Sequence, residues 1–154
     1  MGREMADQAA TQNGSVELTR FFPHPREAVF DAWVNPEKLG KWWGCNDTHS
    51  VTAESDQREG GSVRYVMHMS HGDVVCAGTY EAFERPERLV TRCTMGEGTE
   101  YAFESTTTVE FVEEDGGTRV RLVQVGLPPM PDCDKIVSKG LHDSVEKLQA
   151  FLAS

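Results

Sequence analysis

Over residues 134–153 the apolar residues Val137, Leu141, Val145, Leu148 and Leu152 step by four, four, three and four. That spacing predicts one long helix of about five turns with a single apolar stripe. A stripe of this length is unstable in water and needs a large apolar partner. Only one region of the chain can provide it. From 51 to 125 the text is strands and turns, and no helical period interrupts it. The constraint is strong: one helix, one sheet, and the helix laid across the sheet, which is an α+β arrangement.

Turn signals divide the strand region. "EGGSV" at 59–63, "SHGD" at 70–73, "RPER" at 85–88 and "DGGT" at 115–118 are each rich in Gly, Pro, Asp or Ser. Between them the side chains alternate. Val63, Tyr65, Met67 and Met69 share one face; Phe103, Thr107, Val109 and Phe111 share another register; Val120 and Leu122 alternate with Arg119 and Arg121. Short connections make these strands an antiparallel meander. A strongly twisted sheet gripping one helix leaves room for a hollow between them.

Before the sheet, "SVELTRFF" (Ser15–Phe22) reads as a first strand. "HPREAVFDAWV" follows, with Pro25 placed as a first helical residue and Ala28, Val29, Ala32 and Trp33 at helical spacing. Asn35 then caps a second short helix that Pro36 opens and Gly44 closes. In "NPEKLGKWWGC" two tryptophans are adjacent, and adjacent positions do not share a face of a helix or strand. Two such rings can do two jobs, one sealing a core and the other facing the hollow, with Trp43 the ring expected on the side of the hollow; the alternative is that both rings only pack. The organisation expected is a polar, frayed tail over 1–14 and one domain over 15–154.

Charge narrows the partners. Lys and Arg number 15 against 25 Asp and Glu, a net charge of −10. That balance argues against non-specific nucleic-acid binding and against an anionic membrane surface. No apolar run approaches the ~18 residues of a membrane span, and the N-terminal text lacks the apolar centre of a secretory signal. The four cysteines, Cys45, Cys76, Cys93 and Cys133, form no CxxC pair, so reduced thiols in a cytoplasm are expected. Cys76 and Cys93 fall inside strands, where packing is their expected role.

Catalytic signals are thin. His68, His71 and Cys76 match no zinc spacing, and His68 and His71 point to opposite faces of a strand, so no metal is expected. There is no GxSxG elbow, GxGxxG or Walker text, and hence no nucleotide cofactor. His142 and Asp143 are neighbours on a helix and do not face one another. Glu81 alternates with Val75, Ala77, Thr79 and Phe83; on the wall of a hollow it would accept a ligand hydrogen bond or serve as a base, and otherwise it is an exposed surface residue.

Taken in order, "FFPHPREAVFDAWVNPEKLGKWWG", "GGSVRYVM", "GTYEAFERPERLV", "TTVEFVEEDGGTRVRLVQ" and "KGLHDSVEKLQAFLA" resemble the START-like (SRPBCC, polyketide-cyclase-like) superfamily. Within it the chain is most similar to the family named after the activator of the ninety-kilodalton heat-shock chaperone's ATPase. The resemblance spans residues 16–153 and implies a helix-grip fold, a curved antiparallel sheet wrapped around the C-terminal helix. Many relatives carry Trp after the glycine of that helix, where this chain has Leu141. A smaller side chain there would enlarge the hollow, and Gly140, mid-helix at a cost of ~1 kcal/mol relative to Ala, points the same way.

The residues expected to line the hollow and bind a ligand are Trp43, Tyr65, Met67, Glu81, Phe83, Phe103, Thr107, Gln124 and Leu141. The reading that follows is binding of a hydrophobic small molecule such as a lipid, polyketide or aromatic. Two others stay open: a co-chaperone-like interaction module whose partner is the heat-shock chaperone, as the resemblance implies, and a cyclase- or dehydratase-type enzyme, for which no acid–base pair stands out. A homodimer is also open.

Overall fold

The structure is a computed structural model and describes residues 8–12, 14–100, 102–128 and 132–154. The chain runs β1 (Gln8–Gln12), β2 (Ser15–Phe22), α1 (Arg26–Val34), α2 (Pro36–Trp42), β3 (Thr48–Ser55), β4 (Ser62–Met69), β5 (Gly72–Glu84), β6 (Arg88–Met95), β7 (Phe103–Glu114), β8 (Gly117–Val125) and α3 (Cys133–Ala153). All strands join one antiparallel sheet in the order β1-β2-β8-β7-β6-β5-β4-β3. The architecture is α+β with a helix-grip arrangement, and the long C-terminal helix is the gripped element.

Local chemistry explains the joints. Asn35 accepts from the backbone N–H groups of Glu37 and Lys38 at 3.0 and 3.4 Å, so it caps α2 as its position before Pro36 requires. Pro25 is the N-cap of α1 and not its first helical residue; its ψ of 150° is extended. The β7–β8 hairpin turns on Asp115 and Gly116 with φ of 50° and 75°, the left-handed pair that a two-residue hairpin needs.

Part of the tail expected over 1–14 is a strand. Gln8–Gln12 pairs antiparallel with β2, from Gln8 opposite Thr19 to Gln12 opposite Ser15. An edge strand is held by backbone hydrogen bonds and requires no apolar side chains, so "QAATQ" carries no alternation to reveal it. Residues 1–7 and 13 lie outside the described residues.

The core sits at one end of the grip. Phe22 from β2, Val29, Phe30 and Val34 from α1, Trp42 from α2, and Phe111, Val120 and Leu122 from the sheet are buried there with Val145 and Leu148 of α3. Burial of each such side chain stabilises the fold by roughly 1.5–3 kcal/mol. Helix α3 lies against β1, β2, α1 and α2. The sheet curls away from it toward β4–β6, and a space is left under that part of the sheet.

Candidate functional site

The space is a cavity of about 780 Å³. Its walls come from the inner faces of β4 to β8, from α3, and from the segment after α2. Strand alternation sets which side chains face it: Val63, Tyr65, Met67 and Met69 on β4; Val74, Cys76 and Tyr80 on β5; Leu89, Thr91, Cys93 and Met95 on β6; Phe103, Ser105, Thr107 and Val109 on β7; Gln124 on β8. The N-terminal half of α3 contributes Cys133, Ile136, Val137, Gly140, Leu141 and Ser144. Ile136 is 69 % exposed although apolar, which places it at the rim.

The two adjacent tryptophans take different places. Trp42 is fully buried, and its indole N–H donates to the Ala32 carbonyl at 2.9 Å. Trp43 lines the cavity. The rings form a chain, Trp33 to Trp42 at 4.7 Å, Trp42 to Trp43 at 5.3 Å, and Trp43 to Tyr65 at 5.3 Å, all edge-to-face. The chain links the packed core to the cavity wall.

Gly44 follows with φ of +103°, and a Cβ there would meet the Thr48 hydroxyl oxygen at 2.6 Å. The turn it allows brings residues 44–46 onto α3. The Gly44 N–H donates to Ser144 Oγ at 3.0 Å, the Asn46 N–H to Asp143 Oδ2 at 3.1 Å, and Lys147 Nζ to the Cys45 carbonyl at 3.3 Å. Asp143 also holds Lys139 at 3.1 Å, so its role is to pin this rim, and it forms no pair with His142. Burial lowers the Lys147 ammonium below its usual value.

The polar groups on the wall are few. Gln124 Nε2 donates to Ser105 Oγ at 3.0 Å in a buried pair between β8 and β7. Tyr80 shares a hydrogen bond of 2.7 Å with Ser55, and burial raises its hydroxyl above the ordinary tyrosine range. Burial raises Tyr65 well above that range too, with the thiols of Cys76 and Cys93 adding to the effect. The Cys76 and Cys93 thiols act on each other: the Cys93 thiol lowers Cys76, while the Cys76 thiol and burial raise Cys93.

Of the residues expected in the hollow, Trp43, Tyr65, Met67, Phe103, Thr107, Gln124 and Leu141 come together around the cavity, and Glu81 and Phe83 do not. Glu81 falls on the outer face by alternation, because Val74, Cys76 and Tyr80 are the inward positions of β5. A β-bulge then shifts the register: Tyr80 pairs with Thr91 and Ala82 with Val90, so Glu81 is the extra residue. Glu81 stays exposed on the outer face, 3.8 Å from Arg92, as a surface carboxylate. Past the bulge the alternation is shifted, and Phe83 turns inward to the packed core, against Phe30 at 5.4 Å and Tyr80 at 5.2 Å. The cavity positions not anticipated include Met69, Cys76, Cys93 and Met95, all of which follow from counting by two along β4, β5 and β6.

His68 bonds Asp73 at 2.9 Å and Thr52 at 3.0 Å, while His71 reaches the cavity rim 3.5 Å from Asp47. Among the described residues no three His, Cys, Asp or Glu side chains converge to hold a metal ion, and no helix is long and apolar enough to cross a membrane.

Comparison with known proteins agrees with this geometry. No curated protein matches the sequence. Solved structures match closely in shape: a protein of Arthrobacter aurescens with a TM-score of 0.83 at 18% identity, covering 96% of this chain and 92% of that one; a protein of Mycobacterium smegmatis with 0.80 at 23%, covering 95% and 96%; and one of Chromobacterium violaceum with 0.77 at 23%, covering 88% and 95%. At these identities the likeness is one of fold. The family described as activator of Hsp90 ATPase homolog 1-like protein matches residues 23–153. That family and this fold support a ligand-binding or co-chaperone-like domain, and the chain belongs to the activator of Hsp90 ATPase homolog 1-like family.

Proposed function

We propose that this protein binds an apolar small molecule, of the lipid, polyketide or aromatic class, inside the cavity. The observation that carries the reading is the cavity itself: about 780 Å³, within the ~300–1,000 Å³ of small-molecule sites, with a mostly apolar wall and a few grouped polar atoms. A packed core would leave no such volume. Apolar burial supplies the driving force, about 25 cal/mol per Å² before the costs of association.

The buried Gln124–Ser105 pair orients the ligand. Ser105 accepts from Gln124, so its own hydroxyl proton is free to donate, and Gln124 retains its carbonyl and a second N–H. A carbonyl or hydroxyl end of the ligand belongs here, with Thr107 beside it. The rest of the molecule lies toward Tyr65, Met67 and Leu141. Methionine side chains adapt to different shapes, which favours a range of ligands over a single one.

The family match supports a second reading, docking to the heat-shock chaperone as a co-chaperone-like module. The enzyme reading gains nothing from the site, since no Asp or Glu is among the described residues of the wall. A thermal-shift screen of lipids, flavonoids and polyketides separates the two that remain. Ligands of the right class raise the melting temperature by mass action and change tryptophan emission through Trp43. If no compound shifts the protein while a pull-down retains the chaperone, the docking reading replaces the binding one.

A further inference from the structure

Every cysteine and methionine among the described residues lines this one cavity: all four cysteines, with Met67, Met69 and Met95. Three of these residues share one patch of the inner face of β5 and β6. Cys76 lies directly opposite Met95 in the β5–β6 ladder, and Cys93 is two residues from Met95 on the same face of β6. Gly78, opposite Cys93, puts no side chain between Cys93 and Cys76, so the two thiols are diagonal neighbours on one face of the ladder. We propose that Cys76, Cys93 and Met95 form a site for a soft monovalent d10 cation of the Cu(I) type. The site lies on the wall of the same cavity, and the inference does not rest on the apolar-ligand reading.

The donor set selects the ion. Thiolate and thioether sulfur prefer soft ions, and Cu(I) accepts two or three such ligands. Zn(II) calls for four ligands, drawn from Cys, His and carboxylates, and the site lacks them. Charge selects it as well. The thiols of Cys76 and Cys93 are buried with no cationic side chain on the wall beside them. If one thiol proton leaves to solvent and one monovalent cation takes its place, the buried site stays neutral, as an apolar wall demands. One S–H bond is exchanged for one S–metal bond, the thioether binds as a neutral donor, and the second thiol keeps its proton beside the bound thiolate. No electron is transferred. A disulfide is a poorer use of the same pair, because diagonal cross-strand neighbours sit wider apart than the ~3.5–4.5 Å between Cβ atoms that a disulfide needs.

The test uses the full chain with Cys45→Ser and Cys133→Ser, which removes the other thiols and keeps the site. The reduced protein is titrated anaerobically with Cu(I) against bicinchoninate, a chromophoric Cu(I) chelator, and separately with Zn(II). The expected result is one equivalent of Cu(I) withdrawn from the chelator, one proton released per ion, and no comparable hold on Zn(II). Cys76→Ser in this background should weaken Cu(I) at least as much as the roughly 10–100-fold that outer-shell changes cost. Met95→Leu conserves volume and should keep the melting temperature while weakening Cu(I) about tenfold. Three results would each overturn the proposal: Cu(I) left on the chelator, Zn(II) held as tightly as Cu(I), or a folded Met95→Leu protein and a Cys76→Ser protein that both bind as the background does.

Discussion

The two ends of the grip are built from the same elements and differ in what fills them. On β7, Phe111 belongs to the packed end and Ser105 to the cavity; on β8, Val120 and Leu122 face the core and Gln124 the cavity; on α3, Val145 and Leu148 are fully buried while Gly140, Leu141 and Ser144 border the void. At the packed end, α1 and α2 send in Phe30, Trp33 and Trp42, and the rings interlock: Phe30 with Phe111 at 5.1 Å, Trp33 with Phe111 at 5.6 Å. At the other end Trp33 of α1 and Trp43, which caps α2, reach the cavity wall and leave the space beyond them open. Stability is therefore concentrated at one end, and the other is free to hold a ligand.

Substitutions sharpen this contrast. The largest effect belongs to Phe111→Ala, which opens a hole in a packed environment and should destabilise by roughly 3–5 kcal/mol in urea unfolding. Phe103→Ala, on a wall already next to empty space, should cost well under half of that; equal costs would mean that the two ends are packed alike. Leu148→Ala should lose roughly 2–5 kcal/mol, because that side chain is fully buried. Leu141→Trp, one helical stretch earlier, should instead fold normally and weaken large ligands by occupying their space.

Gly140→Ala should act in the opposite direction. A Cβ there would meet only the Cys45 Cβ, at 3.8 Å, an ordinary contact. The helix should gain about 1 kcal/mol, seen as a higher melting temperature, and the cavity should narrow, seen as weaker binding of the bulkiest ligands. A loss of stability would show that α3 and the 44–46 segment are closer than ordinary contact allows.

The smallest effect is with pH. Tyr80 and Tyr65 have native values raised above the ordinary 10.0 by burial. The folded state then holds protons that the unfolded state releases, so this contribution is fully present below 10.0 and is lost as pH rises through the raised native values. Stability should fall above pH 10, and tyrosinate absorbance from these two residues should appear together with unfolding. Tyr80→Phe should flatten part of that alkaline decline; an unchanged slope would place Tyr80 in a more solvated setting.

Much of this division was legible in the text of the chain. The period of two put Tyr65 and Met67 with Val63 and Met69 on one face, and the helical period put Leu141 and Leu148 on one stripe, because both patterns are direct records of burial. The failures have physical causes. In "GTYEAFE" the alternation breaks at the adjacent Ala82 and Phe83, and the small Ala82 fits either face, so strict counting by two put Phe83 with Glu81 where the bulge turns it inward. Strand β1 is held by its backbone and so leaves no apolar pattern. Cys76 and Cys93 read as packing residues because a buried thiol has the same pattern whether it faces a filled core or an empty one.

The central claim is that a ligand occupies the empty end. The most direct measurement is a methionine-methyl NMR titration with the apolar compound that gives the largest thermal shift, since Met67, Met69 and Met95 all line the cavity. The account predicts that these three resonances, assigned by single Met→Leu variants, change together and saturate at one equivalent. A ligand that raises the melting temperature while all three resonances stay in place would be bound elsewhere and would contradict it.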